Sequence, residues 1–521
     1  MKPFLCLLLV VLGVQAAERH RPNIIFILVD DMGYSDIGCY GGEVKTPNLD
    51  RLAQRGLRFT SMYNTSKCFP SRACLLTGVY AQQCNMGRSS KGGIKNAITL
   101  AELLKKKGYR TLAVGKHHST VSLFDRGFDR FYGFHYGPGK SCANHFNPGE
   151  QRLGEGVPAR KRGESRAYCF DDKKMLPYYT PEQKDWYTTD YFTHWAVDFL
   201  EEYRDENKPY FLYVSYTAPH DPLHAWPEDI AKYDGVYEAG FEAIREARFK
   251  RQAEMNLFGR DVRLSAATHK PWGSLSPEKK MDQARRMQVY AAMIDRVDQN
   301  VGKLLAKVKE LGEEENTLIL CASDNGCSSE NVDAGSGKIG SLTRWASLQR
   351  DWANVSNTPF RYWKNLSHEG GIRTPFIAHW PKVITRKGSI NRQPAHFIDI
   401  MATVCDITGA VYPDGVNDQP ITPMQGESLL PALEGRNLPV RQNPIFFEYG
   451  KGGAVRSGKW KLVTRSLTGK SRNSPKGRFK WELYDLNGDP TETRDIAQEN
   501  PVVVRRLGSL WRDWHRDVYG K

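Results

Sequence analysis

The sequence predicts an α/β fold: a large, mostly parallel central sheet with helices on both faces, followed by a small antiparallel sheet subdomain at the C-terminus. Three observations predict it. Short apolar runs rich in β-branched residues recur at 23–29, 109–114, 210–216, 317–322 and 374–379, each bounded by turn signals, as strands buried on both faces require. Helical patterns lie between these runs, which sets successive strands side by side in parallel. Beyond residue 440 the runs shorten and Gly-rich turns join them, the pattern of antiparallel hairpins.

Taken in order, the chain begins with Met1-Lys2-Pro3, an apolar run over 4–14, and Val14-Gln15-Ala16 before Ala17. A positive start, a short hydrophobic stretch and a small-residue cleavage site predict a signal peptide at 1–16. The run is too short to span a bilayer, and no other apolar stretch approaches that length, so no membrane span is expected. The protein is expected to be exported, either periplasmic or secreted, and a lysosomal setting is also compatible. The clearest helix covers 287–311, where Met287, Tyr290, Ile294, Val297, Val301, Leu304, Val308 and Leu311 follow 3–4 spacing. The polar stretch 222–277 carries no strand pattern and reads as an insertion over one end of the sheet. Strands are expected at 445–449, 454–463 and 481–486, with a closing helix at 502–514. At 521 residues the chain exceeds the size at which one core stops growing. The expected units are a catalytic domain at 17–440 and a C-terminal subdomain at 441–521.

The formal charge of +15 points to an anionic partner. No nucleic-acid module is visible and the basic residues are scattered, so nucleic acid is not expected; an acidic or sulfated glycan suits an exported basic protein better. Of the ten cysteines, nine remain once Cys6 leaves with the signal, and an odd count directs attention to one with special chemistry.

In open α/β sheets ligands bind beyond the carboxyl ends of the strands, so the residues just past each run are informative. Asp30-Asp31 come after the first, Gly115-Lys116-His117-His118 after the second, Ala218-Pro219-His220 after the third and Asp324-Asn325-Gly326 after the fourth. Any one of these could cap a helix; together they place carboxylates, an amide, lysine and histidines on one edge. Asp30, Asp31, Asp324 and Asn325 offer only hard oxygen ligands, which suit calcium, or less well magnesium, and not zinc.

Residues 68–72 read Cys68-Phe69-Pro70-Ser71-Arg72 and continue Ala73-Cys74-Leu75-Leu76-Thr77-Gly78. Pro70 suits the first turn of a helix, which puts residue 68 at a helix N-terminus favourable to an anion, with Arg72 one turn on. This segment resembles the Cys-x-Pro-Ser-Arg signature of the formylglycine-dependent sulfatases of the alkaline-phosphatase superfamily. The resemblance extends to 22–31, Gly115-Lys116-His117-His118, Ala218-Pro219-His220, Ser323-Asp324-Asn325-Gly326, and Lys364 ahead of Glu369-Gly370-Gly371-Ile372-Arg373-Thr374-Pro375. His117 departs from the family's usual aromatic residue, and spacing favours His118 as the histidine that faces the site.

The resemblance implies a sulfate-ester hydrolase acting on a sulfated carbohydrate. It implies that a separate maturation enzyme oxidises Cys68 to formylglycine. Asp30, Asp31, Asp324, Asn325 and residue 68 would hold calcium. Arg72 and Lys116 would stabilise the hydrated aldehyde, His118 would act as base for its collapse, and His220 and Lys364 would contact the sulfate and its leaving oxygen. Formylglycine and the same metal type also serve phosphodiester and phosphonate hydrolases of the superfamily. A sulfated-glycan binding protein that keeps the fold without the aldehyde is the non-enzymatic alternative.

Overall fold

The computed structural model describes residues 21–136, 140–141, 145–146, 165–166, 169–175, 186–259, 262–467 and 480–520. The expected signal peptide, with Cys6, lies outside the described residues, as does Cys142.

Eleven strands form the main sheet: β1 (Asn23–Asp30), β2 (Leu57–Tyr63), β3 (Arg110–His117), β4 (Arg130–His135), β5 (Cys169–Asp171), β6 (Lys174–Met175), β7 (Tyr210–Pro219), β8 (Thr317–Ser323), β9 (Arg373–His379), β10 (Ser389–Asn391) and β11 (Ala395–His396). Their order is β10-β2-β9-β8-β1-β7-β3-β4-β5-β6, with β11 also pairing on β2. The central five, β8-β1-β7-β3-β4, are parallel. The run expected as a parallel strand at 374–379 is instead antiparallel to both β8 and β2. Its composition matches that of its neighbours because burial on both faces, not pairing direction, selects Ile, Phe and Ala there.

β1 shows how the core is built. All eight of its residues are buried. Ile25, Ile27 and Val29 face one apolar layer, whereas Ile24, Phe26 and Leu28 face the other, as the period of two in a strand dictates. Each such side chain contributes about 1.5–3 kcal/mol on burial. The first layer is completed by α1 (Pro47–Arg55) and by three long helices farther along the chain. The second is completed by α2 (Cys68–Thr77), α3 (Leu100–Lys106) and helices near the C-terminus. In chain order the remaining long helices are α4 (Thr188–Glu202), α5 (Gly240–Glu254), α6 (Pro277–Glu310), α7 (Asp399–Thr408) and α8 (Pro501–Tyr519). Helix α6 starts ten residues before the expected 287, because Ser276 caps it by accepting from Lys279 N–H and Pro277 opens it. Its first turns are polar and leave no periodic signal. Among the described residues no helix is long and apolar enough to cross a membrane.

The stretch 222–277 carries α5, whose buried Arg248 pairs with Asp36 at 2.7 Å and Glu43 at 2.6 Å. These pairs tie the stretch to the segment just after β1.

The small sheet consists of β12 (Ile445–Tyr449), β13 (Gly452–Ser457), β14 (Trp460–Thr464) and β15 (Glu482–Asp485), joined in antiparallel sequence. The single strand expected over 454–463 is a hairpin that turns at Gly458, whose φ of +58° suits glycine. One face packs under α8 through Val455, Leu462, Leu483, Leu507 and Trp511. The other presents Ile445, Phe447, Ala454, Val463 and Tyr484 to Tyr63 and Ile372 of the main body. A buried ionic cluster crosses the same seam. Lys461 Nζ lies 2.6 Å from Glu369 Oε1 and 2.7 Å from Glu492 Oε1, with all three side chains at 0% exposure. Arg373 and Tyr63 complete the shell of Glu369 at 3.1 and 2.8 Å.

Candidate active site

Parallel pairing brings the strand ends together. In the β1–β8 register Val29 lies opposite Ser323, so Asp30 and Asp324 emerge side by side. On the other flank Asp30 pairs with Pro219, which sets His220 beside the carboxylate pair. β3 delivers Lys116 and His118 one strand farther on. Asp31 sits in the left-handed region at φ +65°, uncommon for a non-glycine residue. Its N–H donates to Asp324 Oδ1 at 3.3 Å and its carbonyl accepts from Tyr290 OH at 3.0 Å. Cys68 opens α2, whose N-terminus is aimed at these carboxylates. Lys364 arrives on a loop pinned to the site by Lys364 N–H to Cys327 O (3.1 Å) and Asn365 N–H to Ser66 O (2.8 Å).

Three cation–carboxylate pairs result, all buried. Lys116 Nζ binds Asp30 Oδ2. Lys364 Nζ binds both oxygens of Asp31 at 2.6 and 2.7 Å. Arg72 holds Asp324 Oδ2 through Nε and Nη2 at 3.0 and 2.7 Å, and donates through Nη1 to Lys116 O at 3.0 Å and to Ser215 Oγ. Cys68 Sγ lies 3.1 Å from His118 Nδ1.

The electrostatics derive from these contacts. Burial alone would raise the carboxyl of Asp30, but Lys116, His220, Arg72 and Lys364 together hold it well below the usual range. Asp31 is lowered in the same way, burial being outweighed by Lys364 and His220. Asp324 is pushed up to about 8, first by burial and then by Asp30, in spite of Arg72. Burial opposes ionisation of the Cys68 thiol, yet Lys116, Lys364 and Lys67 bring it down. Burial, then Lys116, Lys67 and Arg72, hold His118 well below an ordinary histidine, so its ring is neutral and able to accept a proton.

The donor set fits a hard divalent cation. Asp30 Oδ1 and Asn325 Oδ1 are buried without a hydrogen-bond partner, a costly state that a metal ion relieves. Ligand atoms of Asp30, Cys68 and Asp324 lie within 4.8 Å of one another, as do those of Asp30, Asp31 and His220. Asn325 Nδ2 donates to Asp31 Oδ1 at 2.6 Å, which leaves its oxygen for the ion. A dication would also relieve the pressure that keeps Asp324 protonated.

The structure thus gathers Asp30, Asp31, Cys68, Arg72, Lys116, His118, His220, Asp324, Asn325 and Lys364 around one point. Of the two adjacent histidines, His118 reaches Cys68, and His117 ends β3 opposite His135 of β4. His145 and His224 each turn a ring nitrogen to a main-chain oxygen. Their Nε2 atoms lie 3.0 Å from His220 O and 3.2 Å from Arg344 O. Sequence reasoning missed Lys67, the residue directly before Cys68, whose Nζ lies 5.8 Å from the Tyr449 ring centroid. Tyr449 itself packs on Phe69 at 5.9 Å and Phe69 on His118 at 5.6 Å. No local signal joins Tyr449 to position 68, since the contact spans two subdomains.

A buried thiol and a hard-oxygen metal set inside a ring of cations, at the carboxyl edge of a parallel sheet, define a centre for hydrolysing an anionic ester. Residues 22–410 match the family described as Sulfatase, and residues 360–507 match N-sulphoglucosamine sulphohydrolase, C-terminal. The arylsulfatase of Klebsiella aerogenes is 33% identical over 448 residues, covering 80% of this chain and 93% of that protein. The N-acetylgalactosamine-6-sulfatase of Mus musculus is 27% identical, covering 96% and 83%. The crystal structure of Ps i-CgsB in complex with k-i-k-neocarrahexaose superposes with a TM-score of 0.68 at 25% identity, covering 95% of this chain and 92% of that one. The chain belongs to the sulfatase family of the alkaline-phosphatase superfamily and is a sulfuric ester hydrolase.

Proposed function

We propose that this enzyme hydrolyses a sulfate ester on a sulfated carbohydrate, with Cys68 oxidised to formylglycine by a maturation enzyme and with calcium bound beside it. The observation that carries the reading is the set of three buried cation–carboxylate pairs around Cys68, with two buried oxygens left unpartnered. The pairs balance one another's charge, so a dication makes the centre net positive and suited to a sulfate monoester. The mouse relative is named an N-acetylgalactosamine-6-sulfatase and Ps i-CgsB is seen in complex with k-i-k-neocarrahexaose, which supports a sugar sulfate here.

Asp30, Asp31, Asp324 and Asn325, with residue 68, would hold the ion, which supplies a Lewis-acidic charge against the sulfuryl oxygens. The hydrated aldehyde supplies two hydroxyls on one carbon, one to attack sulfur and one through which sulfate is later expelled. The remaining roles belong to side chains of this chain. Arg72 and Lys116 fix the hydroxyls of residue 68. His118, neutral and 3.1 Å from position 68, takes the proton that allows sulfate to leave. His220 and Lys364 face the sulfate and its leaving oxygen, the lysine as a fixed cation. We further assign 1–16 to an export signal and the mature enzyme to the periplasm or exterior, with 17–440 as the catalytic domain and 441–521 as its C-terminal subdomain.

The test is turnover of an aryl sulfate and an aryl phosphodiester at matched concentrations, with mass analysis of the peptide containing residue 68. Preferred turnover of the sulfate, together with a side chain in which oxygen replaces sulfur and two hydrogens are lost, is expected. An unmodified thiol in protein from the native host, or preferred turnover of the phosphodiester, overturns the reading.

A further inference from the structure

We infer that Asp221 is a positioning residue for His220, and that this carboxylate governs how well the enzyme expels a poor leaving group. The inference rests on the assignment of His220 to the leaving oxygen. His220 is 7% and Asp221 5% exposed. The ring Nδ1 of His220 donates to the main-chain O of Asp221 at 2.7 Å and lies 2.9 Å from Asp221 Oδ1. The opposite ring atom, Nε2, lies 3.5 Å from Asp31 Oδ2 and so faces the reaction centre. A histidine ring has two nitrogens, and the partner of one decides what the other presents.

The carboxylate is itself held in place. Its Oδ2 accepts from Trp345 Nε1 at 3.3 Å and from Ser347 Oγ. Ser347 is fixed in turn by its N–H to Val332 O at 2.9 Å and by its carbonyl, which accepts from Arg286 Nη1 at 2.6 Å. The main-chain oxygen of residue 221 alone would orient the ring, so a merely structural role needs no carboxylate there. Burying one is costly unless its charge is used. When the Nε2–H bond breaks and its proton bonds to the leaving alcohol oxygen, Nδ1–H stays on the Asp221 side and the ring keeps its aim.

The test compares Asp221→Ala, Ser347→Ala, His220→Ala and the Asp221→Ala/His220→Ala double variant on two esters, nitrophenyl sulfate and a monosulfated sugar. A nitrophenolate leaves without help, whereas a sugar alkoxide needs the proton. For Asp221→Ala, kcat on the sugar sulfate should fall about 10- to 100-fold, while kcat on nitrophenyl sulfate falls less than about 3-fold and KM moves little. Ser347→Ala should show the same selectivity at smaller amplitude, and it serves if Asp221→Ala does not fold. The double variant should be no worse than His220→Ala alone. Equal losses on both esters, or losses that add in the double variant, overturn the inference and leave the proposed function standing. A wild-type enzyme that turns over neither ester brings down both.

Discussion

Removing the cation at the seam between the two sheets tests how the C-terminal subdomain is held. In Lys461→Met the chain keeps an apolar side chain of similar length, but Glu369 and Glu492 lose their shared ammonium, at 2.6 and 2.7 Å. Breaking a buried pair by deleting one partner costs about 3–5 kcal/mol, because the surviving charge stays buried. A 521-residue chain that melts as one unit has an unfolding entropy of about 1.1 kcal/mol/K, so the midpoint should drop by about 3–5 °C. Differential scanning calorimetry on the purified protein reads this directly. The same cluster carries a pH signature. Glu369 is held at about 2, against an ordinary value of 4.5: burial pushes it up, but Lys461, Arg373 and Arg456 prevail. Its native state therefore binds fewer protons than the unfolded chain. The stabilisation is complete above pH about 4.5 and is lost as the pH falls toward 2, a span worth about 3 kcal/mol. Glu369→Gln should flatten that part of the profile. A Lys461→Met midpoint within about 1 °C of wild type at neutral pH would refute the reasoning.

Three further outcomes are expected. Calcium at about 100 times its Kd should stabilise the wild type by about 2.7 kcal/mol, seen as a higher melting midpoint, and Asp30→Asn should abolish the shift. Arg72→Lys keeps the charge but cannot hold Asp324 through two nitrogens while reaching Lys116 O and Ser215, so kcat/KM should fall about 100-fold or more in steady-state assays. Cys68→Ala should bind a sulfated sugar in calorimetry yet show no turnover, which separates the enzyme from a glycan-binding protein of the same fold.

Much of this architecture is legible in the sequence alone. The central strands announce themselves because a parallel strand covered on both faces must be apolar along its buried length, and 24–29 and 318–322 are. The polar residues at their ends stand out against that background, which is why Asp30, Lys116, His220 and Asp324 can be gathered from sequence. β2, with Arg58, Thr60 and Ser61 among its residues, breaks the apolar run and carries no clear strand signal. The direction of β9 is hidden because composition carries burial and not pairing sense. Glu369 stands out only as part of a family segment. Its role depends on Lys461 and Glu492, about 90 and 120 residues away, and no local pattern encodes such a partnership. Lys67 and Asp221 each adjoin a site residue, and only side-chain geometry separates them from ordinary neighbours.

The burial of Cys68 fixes an order of events in the life of the enzyme. At 1% exposure Cys68 is buried, and its neighbour Phe69 packs against Tyr449 of the small C-terminal sheet. Another protein's catalytic groups cannot reach an atom so enclosed. The oxidation proposed for residue 68 would therefore come while the segment is still extended, before Tyr449 of the small sheet packs on Phe69.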